Sequence, residues 1–188
     1  MSRRLFVFDD PDRFATGTVG QPGSRTFFLQ ARASGRVVSV VIEKTQVSAL
    51  AERLGQLLVE LDRQGIAEDP PTPIEPDDEP LDEPLNEVFR TGSLTLGWDG
   101  DAERVLVEAR AQIEVESVEE AIEALEIEDD DDEGPDLLRV RMTAEAARSF
   151  VEQAFRVVRA GRPTCPLCGN PLDPTGHICP RKNGHYLN

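Results

Sequence analysis

The sequence predicts an α+β fold: two tandem βββα units, each an antiparallel sheet with one helix, followed by a small cysteine-rich C-terminal knuckle. Three observations carry this. The two halves echo one another, Phe14-Ala-Thr-Gly-Thr-Val being answered by Phe89-Arg-Thr-Gly-Ser-Leu and Phe28-Leu-Gln-Ala-Arg-Ala by Leu106-Val-Glu-Ala-Arg-Ala. In each half a two-residue apolar period gives way to a helical one. All three cysteines and both histidines lie beyond residue 164.

The first unit spans 1–64. Leu5-Phe6-Val7-Phe8 leads into Asp9-Asp10-Pro11-Asp12, which reads as a turn whose Asp side chains bond local amides. The competing reading is a set of carboxylates for a divalent metal. Gly17-Thr-Val-Gly20-Gln-Pro-Gly23 reads as a turn, because it lacks the Gly-Lys-Ser/Thr of a phosphate-binding loop and the spacing of a dinucleotide fingerprint. Ser34-Gly35 marks a tight hairpin before Val37-Val-Ser-Val-Val-Ile. A helix over 46–63 follows, with Val47, Leu50, Ala51, Leu54, Leu57, Leu58 and Leu61 on one stripe, Thr45 as cap and Gly65 as stop.

Residues 65–87 form an acidic, proline-rich linker. Prolines from Pro70 to Pro84 with a one-signed charge run oppose both helix and ladder, so an extended connection is expected.

The second unit spans 88–162. Leu94, Leu96 and Trp98 alternate with polar or small residues, as do Val105, Val107 and Ala109, and Leu138, Val140 and Met142. Its helix, 144–160, buries Ala147, Phe150, Val151, Ala154, Phe155 and Val158, with Thr143 as cap and Gly161 then Pro163 as stop. The acidic insert 114–136 reads as a solvated loop, or as a short helix with Val118, Ala121, Ile122 and Leu125 on one face.

The formal charge of −16 misstates the folded part. The two acidic runs hold 22 of the 36 Asp and Glu residues, leaving 14 against 20 Lys and Arg. An anionic ligand is therefore not excluded by charge.

The tail, 163–188, carries the clearest chemistry. Cys165-Pro-Leu-Cys168-Gly169 has the form of a zinc knuckle, in which two thiolates bind one ion and the amides of the turn donate to sulfur. A tetrahedral ion wants four ligands, and Cys165, Cys168, His177 and Cys179 supply Cys3His, with His185 in place of His177 as the variant. An odd number of cysteines makes no disulfide framework. Four protein ligands close the coordination sphere, so zinc is expected to be structural.

The stretch 165–184, with its Cys-Pro-x-Cys-Gly-x-Pro-Leu-Asp-Pro-x-Gly-His-x-Cys-Pro-Arg-x-Asn-Gly pattern, and the opening Arg-Phe-x-x-Gly-Thr-Val-Gly-x-Pro-Gly at 13–23 resemble an actinobacterial family of uncharacterised proteins. The resemblance implies a bacterial cytoplasmic protein and brings no activity with it. His185 lies outside the resembling stretch, which favours His177.

No apolar run approaches the ~18–20 residues that span a bilayer, and the apolar run before Asp9, Leu5-Phe6-Val7-Phe8, is only four residues long. A cytoplasmic protein is expected. No Ser/His/Asp or Cys/His constellation forms without borrowing tail ligands. The function expected is a non-enzymatic zinc-containing binding or adaptor protein with a protein partner. Two alternatives stand beside it: a nucleic-acid-associated regulator using Arg159, Arg162, Arg181, Lys182 and Tyr186, which the acidic insert masks in cis, and an enzyme with a carboxylate site at Asp9, Asp10 or Asp12.

Overall fold

The computed structural model describes residues 3–21, 23–67, 77–113, 134–160 and 165–168, with Cys179 and Arg181. The fold is α+β. Its elements are β1 (Leu5–Asp9), β2 (Arg13–Val19), β3 (Thr26–Ala33), β4 (Arg36–Ile42), α1 (Lys44–Arg63), β5 (Glu87–Asp99), β6 (Arg104–Ala111), β7 (Leu137–Met142) and α2 (Ala144–Arg159). The strands form one seven-stranded sheet in the order β1-β7-β6-β5-β4-β3-β2. The contacts β1–β7 and β4–β5 are parallel and the others antiparallel.

The two edges of this sheet, β1 and β2, are joined only by residues 10–12. At about 3.5 Å per residue so short a link cannot cross a flat seven-stranded sheet, so the sheet curls until its edges approach. Arg36, at the start of β4, reaches across the hollow with its guanidinium 5.5 Å from the Phe6 ring and 5.2 Å from the Phe8 ring.

The inner face is apolar, as strand alternation dictates. Leu29 and Ala31 of β3, Val38, Val40 and Ile42 of β4, Val105, Val107 and Ala109 of β6, and Leu138, Val140 and Met142 of β7 join one core with both helices. The helices pack on one another and on this face. α1 buries Val47, Leu50, Ala51, Leu54, Leu58 and Leu61, and each fully buried leucine contributes about 2 kcal/mol. Leu57 is only partly buried. The N-cap of α1 is Glu43, not Thr45: the helix starts two residues earlier than its stripe suggests, and the Gln46 side chain accepts from the Glu43 amide at 3.0 Å. Gly65, at φ +68, ends it.

α2 is capped as expected, the Ala146 amide donating to Thr143 Oγ1 at 3.1 Å. It also closes an edge of the sheet. Phe150 stacks on Phe14 with ring centres 4.7 Å apart, and buried Gln153 accepts the Thr16 amide of β2 at 3.0 Å. An edge amide that would otherwise be open to another strand is thereby satisfied.

The outer face of β2–β4 is buried as well. Residues 77–86 run across it as an irregular strap before entering β5, bonded to Gln30 and Arg13 and packed by Leu81 on Gly17. Of the rest of the expected linker, residues 65–67 finish the end of α1 and 68–76 lie outside the described residues, as do 114–133 of the acidic insert, Gly161 and Pro163.

The halves correspond in part. The β3–β4 hairpin pairs Ala31 with Val38 and Phe28 with Val41, and the β6–β7 hairpin pairs Ala109 with Leu138 and Leu106 with Arg141, each residue at the place of its sequence match. The helices bury Val47, Leu50, Ala51 and Leu54 at the places of Ala147, Phe150, Val151 and Ala154. The preceding strands differ: Phe14 faces Ala31, whereas Ala109 faces Leu94 rather than Phe89. The first half also has a fourth strand, β1, given over to pairing with β7.

Candidate metal centre

The Arg25 guanidinium donates to the Ala160 carbonyl at 2.6 Å, which ties the last turn of α2 to the loop between β2 and β3. Five residues beyond Ala160, Cys165 opens a turn through Cys168, and Cys179 returns to the same place. The three sulfurs lie within 4.8 Å of one another, with Cys165 Sγ and Cys179 Sγ 3.9 Å apart. None of the three is in a disulfide.

This spacing has a specific meaning. A disulfide would bring two sulfurs to about 2.05 Å. Thiolates around a tetrahedral zinc, at about 2.3 Å each, stand roughly 3.8 Å from one another. Cys165 and Cys179 are buried and Cys168 half-buried, so the triangle has a sheltered side and an open one. The Cys168 and Leu167 amides donate to Cys165 sulfur and, with the neighbouring thiols, hold its thiol below the usual range against the opposing effect of burial. These are the donors a thiolate needs in order to act as a ligand.

The sequence-predicted site is thus brought together at Cys165, Cys168 and Cys179. His177 and the variant His185 lie outside the described residues.

The other candidates resolve differently. Asp9, Asp10 and Asp12 do not converge: Asp10 takes Arg104 at 2.6 and 3.1 Å, Asp9 takes Arg141 at 2.9 Å, and Asp12 accepts the Ser34 amide at 2.9 Å. The hydrogen bond from Arg104 is the main cause that lowers the Asp10 pKa below its ordinary value. In the glycine-rich loop Gly20 and Gly23 take φ of +104 and +98 just after β2, as turn residues do. Gly92 and Gly97 lie inside the long strand β5. At Gly92 a bulge brings the backbone of Gln112 so close that a Cβ would sit 2.8 Å from its Cα.

Sequence reasoning missed the polar floor beneath the strap. Gln30, 2 % exposed, donates from Nε2 to the Asp82 carbonyl at 3.0 Å and accepts the Asp82 amide at 2.8 Å. Arg13 is buried and spends its guanidinium on Asp77 Oδ2 at 2.6 Å and Oδ1 at 3.1 Å, the Glu79 carbonyl at 2.6 Å and the Pro80 carbonyl at 2.8 Å. Arg32 takes Asp82 at 2.8 Å, and Arg156 takes Asp78. A cleft of about 360 Å³ remains between the strap, the end of β2 and the last turn of α2. The signal available was the alternation itself: Arg13, Gln30 and Arg32 fall at outward positions of strands whose inward positions are apolar.

An α+β domain with a C-terminal cluster of three cysteines able to take a metal ion is what fold and site together define. The chain belongs to the family described as Protein of unknown function (DUF3090), whose model matches residues 6–179, a span that takes in all of the sheet but Leu5, both helices and all three cysteines. No curated protein and no solved structure matches it. Among the described residues no helix is long and apolar enough to cross a membrane.

Proposed function

We propose that the chain is a non-enzymatic binding or adaptor protein whose C-terminal cysteines hold a structural zinc ion. The observation that carries this reading is the sulfur triangle, with 3.9 Å between Cys165 and Cys179 and amide donors on Cys165. Thiolate ligands favour zinc over the hard divalent cations. His177, two residues before Cys179, supplies the fourth ligand, and a closed Cys3His sphere leaves no place for a reacting water. The ion fixes a proline- and glycine-rich tail that has little apolar material of its own.

The barrel-like domain is read as a duplication. The matching registers of the β3–β4 and β6–β7 hairpins and the matching buried positions of α1 and α2 support it, over the stretch from Phe28 to α1 and from Leu106 to α2.

The partner is read as a protein. Most arginines of the folded part already face carboxylates: Arg4 with Asp136, Arg13 with Asp77, Arg32 with Asp82, Arg104 with Asp10, Arg110 and Arg139 with Glu108, and Arg141 with Asp9 and Asp99. Cations neutralised in this way release few counterions from a phosphate backbone, which weighs against nucleic acid.

Elemental mass spectrometry of protein purified without added zinc tests the reading. About one zinc per chain in the wild type, lost in Cys168→Ser, is expected. Metal-free wild type with freely titrating thiols overturns it.

A further inference from the structure

We propose that the outer face of β2, β3 and β4 is a recognition groove for an extended acidic peptide, that residues 77–85 occupy it in cis, and that an acidic, proline-flanked segment of a protein partner takes their place. This deepens the binding-module reading and rests on it, but not on the zinc.

The groove reads backbone. Gln30 forms the reciprocal pair with the amide and carbonyl of Asp82, and Arg13 holds the carbonyls of Glu79 and Pro80. These are the bonds an extended peptide makes with a sheet edge, supplied here by side chains rising from a sheet face. A second chain following the same path satisfies them whatever its own side chains are. Gln30, Ser39 and Arg13 are buried where apolar residues would pack with less desolvation, so the face is built for a polar occupant.

The groove also reads charge. Arg13, Arg32 and Arg156 meet Asp77, Asp82 and Asp78 in turn. Asp78 and Glu79 remain largely exposed, so much of the attraction is screened by salt and the cis occupant is held loosely at its outer side.

Apolar anchoring is confined to one notch. Leu81 sits over Gly17 so closely that a Cβ there would lie 2.6 Å from Leu81 Cγ. Beside it the cleft lined by Leu85, Val157 and Arg156 leaves room for a further side chain that the strap does not provide. A partner with a leucine at the notch and a second apolar residue for the cleft binds more tightly than the strap does. The uncovered alternative is costly, because release strips buried Gln30 and Arg13 of their partners. Exchange of one acidic segment for another is therefore favoured over simple opening.

The test uses the full chain, a variant with Asp77→Ala and Asp82→Ala, and a fluorescein-labelled synthetic peptide of residues 77–86. Hydrogen exchange follows the Asp82 amide, and fluorescence anisotropy at low salt follows the peptide. The variant is expected to lose protection at Asp82, to keep it in β3 and β6, and to bind the peptide about tenfold or more tightly than the wild type. Arg13→Ala added to the variant is expected to abolish that binding. A loosened strap with no saturable peptide binding overturns the proposal, and so does an Asp82 amide that stays protected. Should the double variant lose protection throughout the sheet, Asp82→Asn alone serves for the same two readings. Elemental analysis of the same samples reports on zinc by itself, so the two readings fail separately.

Discussion

Gln30 and Asp82, 52 residues apart in the chain, hold one another by reciprocal hydrogen bonds, amide to side-chain oxygen at 2.8 Å and side-chain nitrogen to carbonyl at 3.0 Å. Replacing Gln30 by methionine keeps the volume and removes both bonds together with the one to Ser39 Oγ, so the Asp82 amide and carbonyl lose their Gln30 partners. A loss of about 1–3 kcal/mol is expected, read as a lower urea midpoint with unchanged slope.

Gly17→Val separates the strap from the core. A Cβ at this position meets Leu81 first, 2.6 Å from its Cγ. Hydrogen exchange is expected to rise across residues 77–86 while the amides of β3 and β6 stay protected. Equal loosening of both would show that the strap is part of the cooperative unit.

The strap also carries a pH dependence. Burial pushes the Asp77 carboxyl up, but the hydrogen bonds from Arg13 and the Glu79 amide and the charge of Arg13 and Arg32 outweigh it, so the folded pKa lies below the ordinary value. A depressed carboxylate stabilises the fold fully above its unfolded pKa of about 3.9 and loses that contribution as the pH falls through the folded value. Asp136, held by Arg4 against its own burial, acts in the same sense. The wild type is therefore expected to exceed Asp77→Asn in stability from neutral pH down to about pH 4, and the difference is expected to shrink below that. A difference independent of pH would contradict it.

Glu108 is 2 % exposed on the outer face of β6, between Arg139 and Arg110. Glu108→Ala removes a buried carboxylate from between two half-buried guanidinium groups and is expected to cost about 1.5–3 kcal/mol in thermal or urea unfolding. A loss below about 1 kcal/mol would place the pair among ordinary surface contacts.

Thr143→Ala removes the hydroxyl that caps α2 and is expected to cost about 1 kcal/mol. Thr45→Ala, inside the first turn of α1, makes no such loss and is expected to be nearly neutral in the same unfolding assay.

What the sequence made legible follows from local rules. The stripe Val47–Leu61 and the alternation in β6 and β7 placed side chains correctly because burial of one face leaves a period in the chain. Ser34 and Gly35 take φ of +50 and +78, so the hairpin between β3 and β4 was written in residue type. The parallel pairing of Leu5 with Leu137 was not legible, since no periodicity records which distant strand an edge will meet. Pro80 and Pro84 rightly argued against a ladder in 77–86, yet Arg13 and Gln30 supply from their side chains the bonds a ladder would have given. The Cys165–Cys168 spacing announced two corners of the sulfur triangle because a four-residue turn sets their geometry, and Cys179 joins them from 14 residues beyond Cys165.

Leu5 meets its partner 132 residues after it is synthesised. At the pace of a ribosome that is on the order of ten seconds. Through that time Leu5-Phe6-Val7-Phe8 is an apolar strand with nothing to pair with, the kind of segment a nascent-chain chaperone holds. The amino-terminal half made alone would keep that bare edge for good.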